Sequence, residues 1–201
     1  MESIKVLTLI GGISSHSLNR RLFNGIEALG LSDFDFDSFD ISKLPFFSQD
    51  LELDPPDIVL EFKDRIREAE AVLFITPEYN RSFPGVLKNS IDWGSRPYGQ
   101  NLWDRKPAAV MGASIGTIGT FGAQHHLRQV LAYLNLSVMG QPEFYFNGSR
   151  SFNERGELVD EKTKQLLRAY FESFKSWIEL LGEKPTPRYQ SQGLEDSPMA
   201  Q

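Results

Sequence analysis

Cysteine is absent from this 201-residue sequence, which excludes disulfides, thiolate nucleophiles and cysteine-ligated metals together. Long apolar runs are absent too, since no stretch approaches the roughly 20 apolar residues that a membrane-spanning helix needs. The few residues before the first apolar run lack the basic region and long apolar segment of a secretory signal. These absences predict a cytoplasmic protein that does not insert into membranes, and the length of 201 residues suits one domain.

Positive charge is also scarce. The 21 lysines and arginines stand against 27 acidic residues, which gives a formal net charge of −6 and a pI near 5.2. Nucleic-acid binding needs a concentrated basic surface, and none is visible here. Gly-x-Gly-x-x-Gly and the Walker sequence are missing, which argues against a dinucleotide Rossmann site and an NTPase. The expected partner is therefore a small molecule and not a nucleic acid.

What the sequence does contain is an alternation of short apolar runs and amphipathic segments. Strands are predicted at residues 4–10, 34–41, 69–75, 107–113 and 136–139, with 143–146 as a candidate continuation of the last. Helices are predicted at residues 17–29, 57–68, 82–93, 121–134 and 162–181. Such alternation implies right-handed crossovers and a parallel sheet.

Five strands in this arrangement predict an α/β fold of the flavodoxin-like type. It is a three-layer sandwich, in which a five-stranded parallel sheet of order 2-1-3-4-5 carries helices on both faces. Residues 1–182 form this domain in the prediction. Residues 183–201 are rich in Pro, Gln and Ser and are expected to form a flexible C-terminal tail.

The segment after the third predicted strand is the strongest indication of a binding site. Pro77 ends the buried run, Ser82 is a candidate N-cap, and Pro84 falls in the first helical turn, where a missing N–H costs little. Open α/β sheets bind ligands beyond the carboxyl ends of their strands, so residues 78–80 are expected at a pocket. Each of these three residues also has a purely structural interpretation. Glu78 would then be a solvated carboxylate, Tyr79 a surface aromatic ring and Asn80 a turn-forming amide.

Two further loops share that edge if strands one, three and four are neighbours. Five of the nine residues 11–19 carry a hydroxyl, amide or imidazole group just ahead of a helix, which suits a phosphate. Ordinary turn and cap chemistry explains the same glycines and serines equally well. Residues 77–82 and 114–119 offer backbone N–H and C=O groups to the edge of a polar ring. Together the loops predict a mononucleotide site.

The stretch from Pro77 to Trp93 resembles the signature of the NADPH-dependent FMN reductase family, which includes bacterial quinone, chromate and azo-dye reductases. The matching positions are Pro77, Glu78, Tyr79, Asn80, Ser82, Pro84, Gly85, Leu87, Lys88, Asn89, Ile91, Asp92 and Trp93. Residues 114–119 and the later Gln124, His126, Leu127, Arg128 and Leu131 are similar to the fourth loop and helix of that family. The resemblance covers about residues 4–181.

The first loop departs from the family pattern. It commonly reads Gly-Ser-x-Arg-x-x-Ser-x-Asn there and binds the FMN phosphate. Ser17 and Asn19 match, whereas Gly12 replaces the expected serine and Ser14 the expected arginine. The resemblance thus implies a site without one charge-assisted contact, a loss of about 1.5–3 kcal/mol if nothing compensates. The hydroxyl groups of Ser14, Ser15 and Ser17 are expected to restore part of it.

The resemblance implies bound FMN and NADPH or NADH as co-substrate. Hydride would pass to flavin N5 and then, in a ping-pong cycle, to a small-molecule electron acceptor such as a quinone, flavin, azo dye or chromate, with no catalytic side chain. The residues expected to bind the cofactor are Gly12, Ser14, Ser17, Leu18, Asn19, Pro77, Glu78, Tyr79, Asn80, Ser82, Ser114 and Gly116. A homodimer or homotetramer is also implied, with Trp93 and Trp103 at the rim of the third helix where the family dimerises.

Other interpretations stay open. A flavodoxin-like electron carrier reduced by a protein partner is one, although such carriers are usually much more acidic. A flavin-free regulatory protein of the same fold is another, which Ser14 in place of the family arginine keeps open. Arg81 is a candidate contact for the phosphates of NADPH. The adjacent His125 and His126 predict no metal site, because neighbours on a helix point about 100° apart.

Overall fold

The computed structural model describes residues 3–182, and the predicted tail at 183–201 lies outside the described residues. Its strands are β1 (Ile4–Ile10), β2 (Phe34–Phe39), β3 (Ala71–Ile75), β4 (Pro107–Ser114), β5 (Ser137–Val138) and β6 (Tyr145–Asn147). Its helices are α1 (Leu18–Glu27), α2 (Asp57–Glu68), α3 (Gly85–Gly94), α4 (Phe121–Tyr133) and α5 (Glu161–Leu181). Two short 3-10 helices, Ile41–Lys43 and Gln49–Leu51, lie between β2 and α2.

All strand pairs in the sheet are parallel, and the order β2-β1-β3-β4-β5 confirms the flavodoxin-like prediction. The fifth position is divided between two strands. β5 pairs with the start of β4, opposite Pro107, and β6 pairs with its end, opposite Gly112 to Ser114. The candidate continuation after residue 139 is therefore a real strand, and the sheet has six strands in five positions.

Period-two alternation along the central strands divides the core into two halves. On one face, Leu7, Leu9, Val72, Phe74 and Val110 pack against α2, α3 and α4. On the other face, Val6, Ile10, Leu73, Ile75 and Met111 pack against α1 and α5. β3 is buried at every residue, as expected for a strand covered on both sides. The three predicted layers are thus present.

Two local predictions are wrong. Ser82 is not the N-cap of α3: the helix begins at Gly85, and Pro84 is its cap, with no side-chain capping bond. Trp93 and Trp103 do not lie at a rim, because both are fully buried in the core. The Trp103 indole N–H donates to the Ile91 carbonyl at 2.8 Å, so its one polar atom is satisfied inside the core.

Among residues 3–182, no helix is both long and apolar enough to cross a membrane.

Candidate functional site

The loop between β1 and α1 presents unpaired hydrogen-bond donors. Ser17 caps α1, since its Oγ accepts from the Arg20 N–H at 3.3 Å and its carbonyl accepts from the Arg21 N–H at 3.1 Å. The first two helical N–H groups, at Leu18 and Asn19, have no partner among the residues that the structure describes. Donors at the positive end of a helix dipole form an anion site.

Gly12 allows this loop to close tightly. It is buried, and a methyl group added to it would overlap the Ser17 hydroxyl. The hydroxyl-bearing residues that follow, Ser14 and Ser15, are exposed. Glycine at the position where the family has serine therefore matches a close approach of the backbone to the capping side chain. The Ser14 hydroxyl accepts from the His16 N–H at 3.3 Å and can still donate to a ligand.

The Asn19 side chain does not face the loop. Its amide donates to the Ala113 carbonyl at 3.0 Å and accepts from the Ala113 N–H at 2.8 Å, and the residue is 2% exposed. These two bonds tie the start of α1 to the end of β4. The side chain of Asn19 is therefore not available to a cofactor, whereas its backbone N–H is.

The loop after β3 is a tight hairpin. Tyr79 and Ser82 exchange both backbone hydrogen bonds, at 2.9 and 3.0 Å, and form an antiparallel bridge. Asn80 and Arg81 between them have φ values of 51° and 66°, the conformation of a two-residue hairpin turn. The bridge explains why Ser82 cannot cap the helix, which begins three residues later. Tyr79 is 55% exposed at the hairpin.

Two side chains anchor this hairpin to α4. Glu78 accepts from the Ala123 N–H at 3.0 Å, in the first turn of α4, and pairs with Arg81 at 3.2 Å. Ser82 Oγ is hydrogen-bonded to His126 Nδ1 at 2.8 Å. The Glu78 carboxylate thus faces a helix N-terminus, where a negative charge is favourable, and its backbone is left to face a ligand. Arg81, 76% exposed, already has a carboxylate partner.

Hydrogen bonds within the loop after β4 fix its conformation. Ser114 Oγ donates to the Gly119 carbonyl at 2.7 Å and accepts from the Gly116 N–H at 3.1 Å. Gly116 is exposed, and only the Ser114 hydroxyl lies within 4 Å of where its Cβ would be. Gly116 thus leaves space for a ligand beside the loop, whereas its own N–H and carbonyl are bonded within the loop, to the Ser114 hydroxyl and the Gly119 N–H.

These three loops lie at one edge of the sheet, because β1, β3 and β4 are parallel neighbours. We call residues 11–19, 77–82 and 114–119 the three-loop edge. Large apolar side chains are exposed on it and just beyond it: Ile13, Tyr79, Ile115, Ile118 and Phe121. Exposed apolar groups close to free N–H donors fit a ligand with an aromatic ring at one end and a phosphate at the other, as FMN has.

The two histidines of α4 have separate partners. His125 Nε2 lies 3.0 Å from the Tyr145 hydroxyl and 3.7 Å from Glu143, whereas His126 contacts Ser82. Burial first, and then the hydrogen bond to Glu143, raises the pKa of Tyr145 to about 12, so its hydroxyl stays protonated at neutral pH. Both histidines thus support neighbouring structure.

One part of this edge escaped the sequence prediction. Asn147 ends β6 and donates from Nδ2 to the Ile115 carbonyl at 3.3 Å, and the Gly148 N–H donates to the Ser114 carbonyl at 3.0 Å. A fourth segment therefore borders the three-loop edge. The signal was present, because Asn147, Gly148 and Ser149 follow an apolar run in the same way as the other loops follow theirs.

Comparison with known proteins shows the family of this chain. The family model for NADPH-dependent FMN reductases matches residues 4–150. A 2-hydroxy-1,4-benzoquinone reductase from Burkholderia sp. is 43% identical over 177 residues, which are 88% of this chain and 97% of that protein. An NAD(P)H:quinone oxidoreductase from Solanum tuberosum is 41% identical over 174 residues, 83% of this chain and 88% of that protein.

Two solved structures are similar to this chain, one in sequence and fold and the other in fold alone. The flavoenzyme NAD(P)H:(acceptor) oxidoreductase FerB from Paracoccus denitrificans superposes with a TM-score of 0.83 and 42% identity, over 88% of this chain and 98% of that one. An archaeal flavodoxin, at 13% identity and a TM-score of 0.53, shares the fold over 89% of this chain and 99% of its own. The chain belongs to the NADPH-dependent FMN reductase family.

Proposed function

We propose that this protein binds FMN at the three-loop edge and uses NADPH or NADH to reduce quinones or similar small acceptors in the cytoplasm. The observation that carries the proposal is the meeting of three loops at one edge, with unpaired N–H donors on one loop and exposed apolar side chains around the others. Membership of the family and the names of the quinone-reducing relatives support it.

In this proposal the first loop binds the phosphate. The N–H groups of Leu18 and Asn19 donate to it at the positive end of α1, and the exposed hydroxyl groups of Ser14 and Ser15 add neutral donors. The Ser17 side chain continues to cap α1 and thereby fixes the conformation of the loop. The phosphate thus fixes one end of the cofactor without a lysine or arginine in the loop.

The other two loops orient the ring. The hairpin at Tyr79 and Asn80 is rigid because Glu78 and Ser82 are both bonded to α4, and Gly116 leaves space for the ring beside its loop. Bound FMN supplies the redox chemistry, which takes hydride from NAD(P)H and delivers electrons to the acceptor. The residues contribute position and fixed dipoles, and we assign no catalytic side chain.

An anaerobic titration of the purified protein tests this function. We expect a yellow protein whose flavin absorbance bleaches on addition of NADPH or NADH and returns when benzoquinone is added. A protein that binds FMN but stays yellow with both nucleotides would be an electron carrier. A chain that binds no FMN at micromolar concentrations would be the flavin-free alternative.

We also propose that the protein is a homodimer, or a homotetramer built from dimers. Tyr98 and Tyr133 are 83% and 88% exposed and line one groove with Leu134, between α4 and the segment after α3. Large exposed apolar surface of this kind is typical of an interface.

Sedimentation velocity tests the assembly. We expect a species of at least twice the 22.8 kDa chain, and Tyr133→Glu is expected to shift it toward the monomer because a charge is placed in the groove. Leu166→Glu is the matched control, since Leu166 is 53% exposed on α5, which covers the opposite face of the sheet. A wild-type protein that sediments as a monomer would contradict the proposal.

A further inference from the structure

The segment that follows β6 lies against the phosphate loop. Gly148 bonds to Ser114, and a Cβ built on it would be 2.9 Å from Leu18 Cδ1, so its backbone touches the first residue of α1. Farther along, Gly156 lies beside Arg21, and Leu158 lies beside Gly25. Residues 148–159, which we call the α1 strap, therefore follow this helix from its N-terminal end.

Arg150 lies at the start of the strap, in a turn. It is exposed, and within residues 3–182 its guanidinium has no hydrogen-bond or ion-pair partner. The two residues from Gly148 to Arg150 span at most about 7 Å of chain, so the arginine starts within that distance of a backbone that contacts the Leu18 side chain. A long, free cationic side chain is thus tethered next to the predicted phosphate site.

The first loop contains no lysine or arginine. Ser14 stands where relatives commonly carry arginine, and neutral hydroxyl groups cannot balance a phosphate that carries nearly two negative charges. Arg20, the first arginine of α1, donates to Ser38 Oγ at 3.1 Å and so reaches toward the end of β2. Arg150 on the strap has no such competing partner.

We propose that Arg150 binds the FMN phosphate and replaces, from a different part of the chain, the arginine that the first loop has lost. The inference rests on the proposed function, because it requires that FMN occupies the three-loop edge. A guanidinium makes paired, charge-assisted hydrogen bonds to phosphate oxygens, which the serines of the loop cannot make.

Flavin binding to the apoprotein tests this role without any turnover. Fluorescence quenching gives Kd values for FMN and for riboflavin, which lacks the phosphate. For Arg150→Gln we expect FMN to bind at least tenfold more weakly and riboflavin to bind within twofold of wild type. The slope of log Kd for FMN against log salt concentration should also become smaller. Adding Ser14→Arg to this variant is expected to restore most of the affinity for FMN.

Arg155→Gln is the matched control, because Arg155 is an exposed arginine of the same strap, farther along the chain from Gly148. It should leave the Kd of both flavins within twofold. Arg150→Gln with unchanged FMN affinity overturns the inference, as does an equal loss for riboflavin, which would mean a change in loop structure. A wild-type protein that binds neither flavin would instead refute the proposed function itself.

Discussion

The variant Gly12→Ala is expected to bind FMN about 10- to 100-fold more weakly than the wild-type protein. A methyl group at this buried position would overlap Ser17 Oγ, so the serine must move. Moving it breaks the cap on the Arg20 N–H, worth about 1 kcal/mol. It also displaces the phosphate donors of the loop, at a cost of about 1.5–3 kcal/mol. The displaced donors account for about one to two powers of ten in affinity, whereas the lost cap lowers the stability of the apoprotein.

Fluorescence quenching of FMN by the apoprotein measures this effect, and thermal unfolding shows whether the fold survives. Gly140→Ala is the control, because no atom lies within 4 Å of the added methyl group and the residue lies between β5 and β6. Its affinity for FMN should equal that of wild type. If Gly12→Ala bound FMN as tightly as the control, the first loop could not be the phosphate site.

Much of the fold follows from the spacing of apolar residues and from the residues that end each apolar run. The buried run ending before Pro77 and the helical spacing of residues 57–68 gave elements close to those observed, because burial on both faces of a sheet leaves a continuous apolar run. Parallel pairing then places the ends of β1, β3 and β4 at one edge. The three-loop edge was therefore predictable before any side chain was placed.

What failed depended on contacts between residues far apart in sequence. Ser82 has the chemistry of an N-cap, but its hydroxyl is bound to His126, 44 residues later. Asn19 stays a predicted cofactor contact, but through its backbone N–H, because its side-chain amide is bonded to Ala113. Trp103 was placed at a surface although it fills the core. Local patterns give the type of group, whereas tertiary packing decides which partner that group meets.

The variant Gly112→Ala is expected to lower the free energy of unfolding by about 3 kcal/mol, and the melting temperature by about 6–12 °C. Gly112 lies in β4 next to the ends of two site loops, where an added methyl group would overlap the Thr76 carbonyl and the Thr120 hydroxyl. The carbonyl belongs to the backbone after β3, and Thr120 is the N-cap of α4. Neither can move without shifting a loop of the site.

Thermal unfolding of the apoprotein measures this loss, with Gly85→Ala as the matched control. Gly85 is the first residue of α3 with open space around it, so alanine there should be neutral or stabilise by about 0.4–1 kcal/mol. A Gly112→Ala protein as stable as wild type would mean that the chain relaxes easily at this point. The packing around Gly112 would then not fix the hairpin after β3 relative to the N-terminus of α4. Other contacts would have to orient the flavin ring.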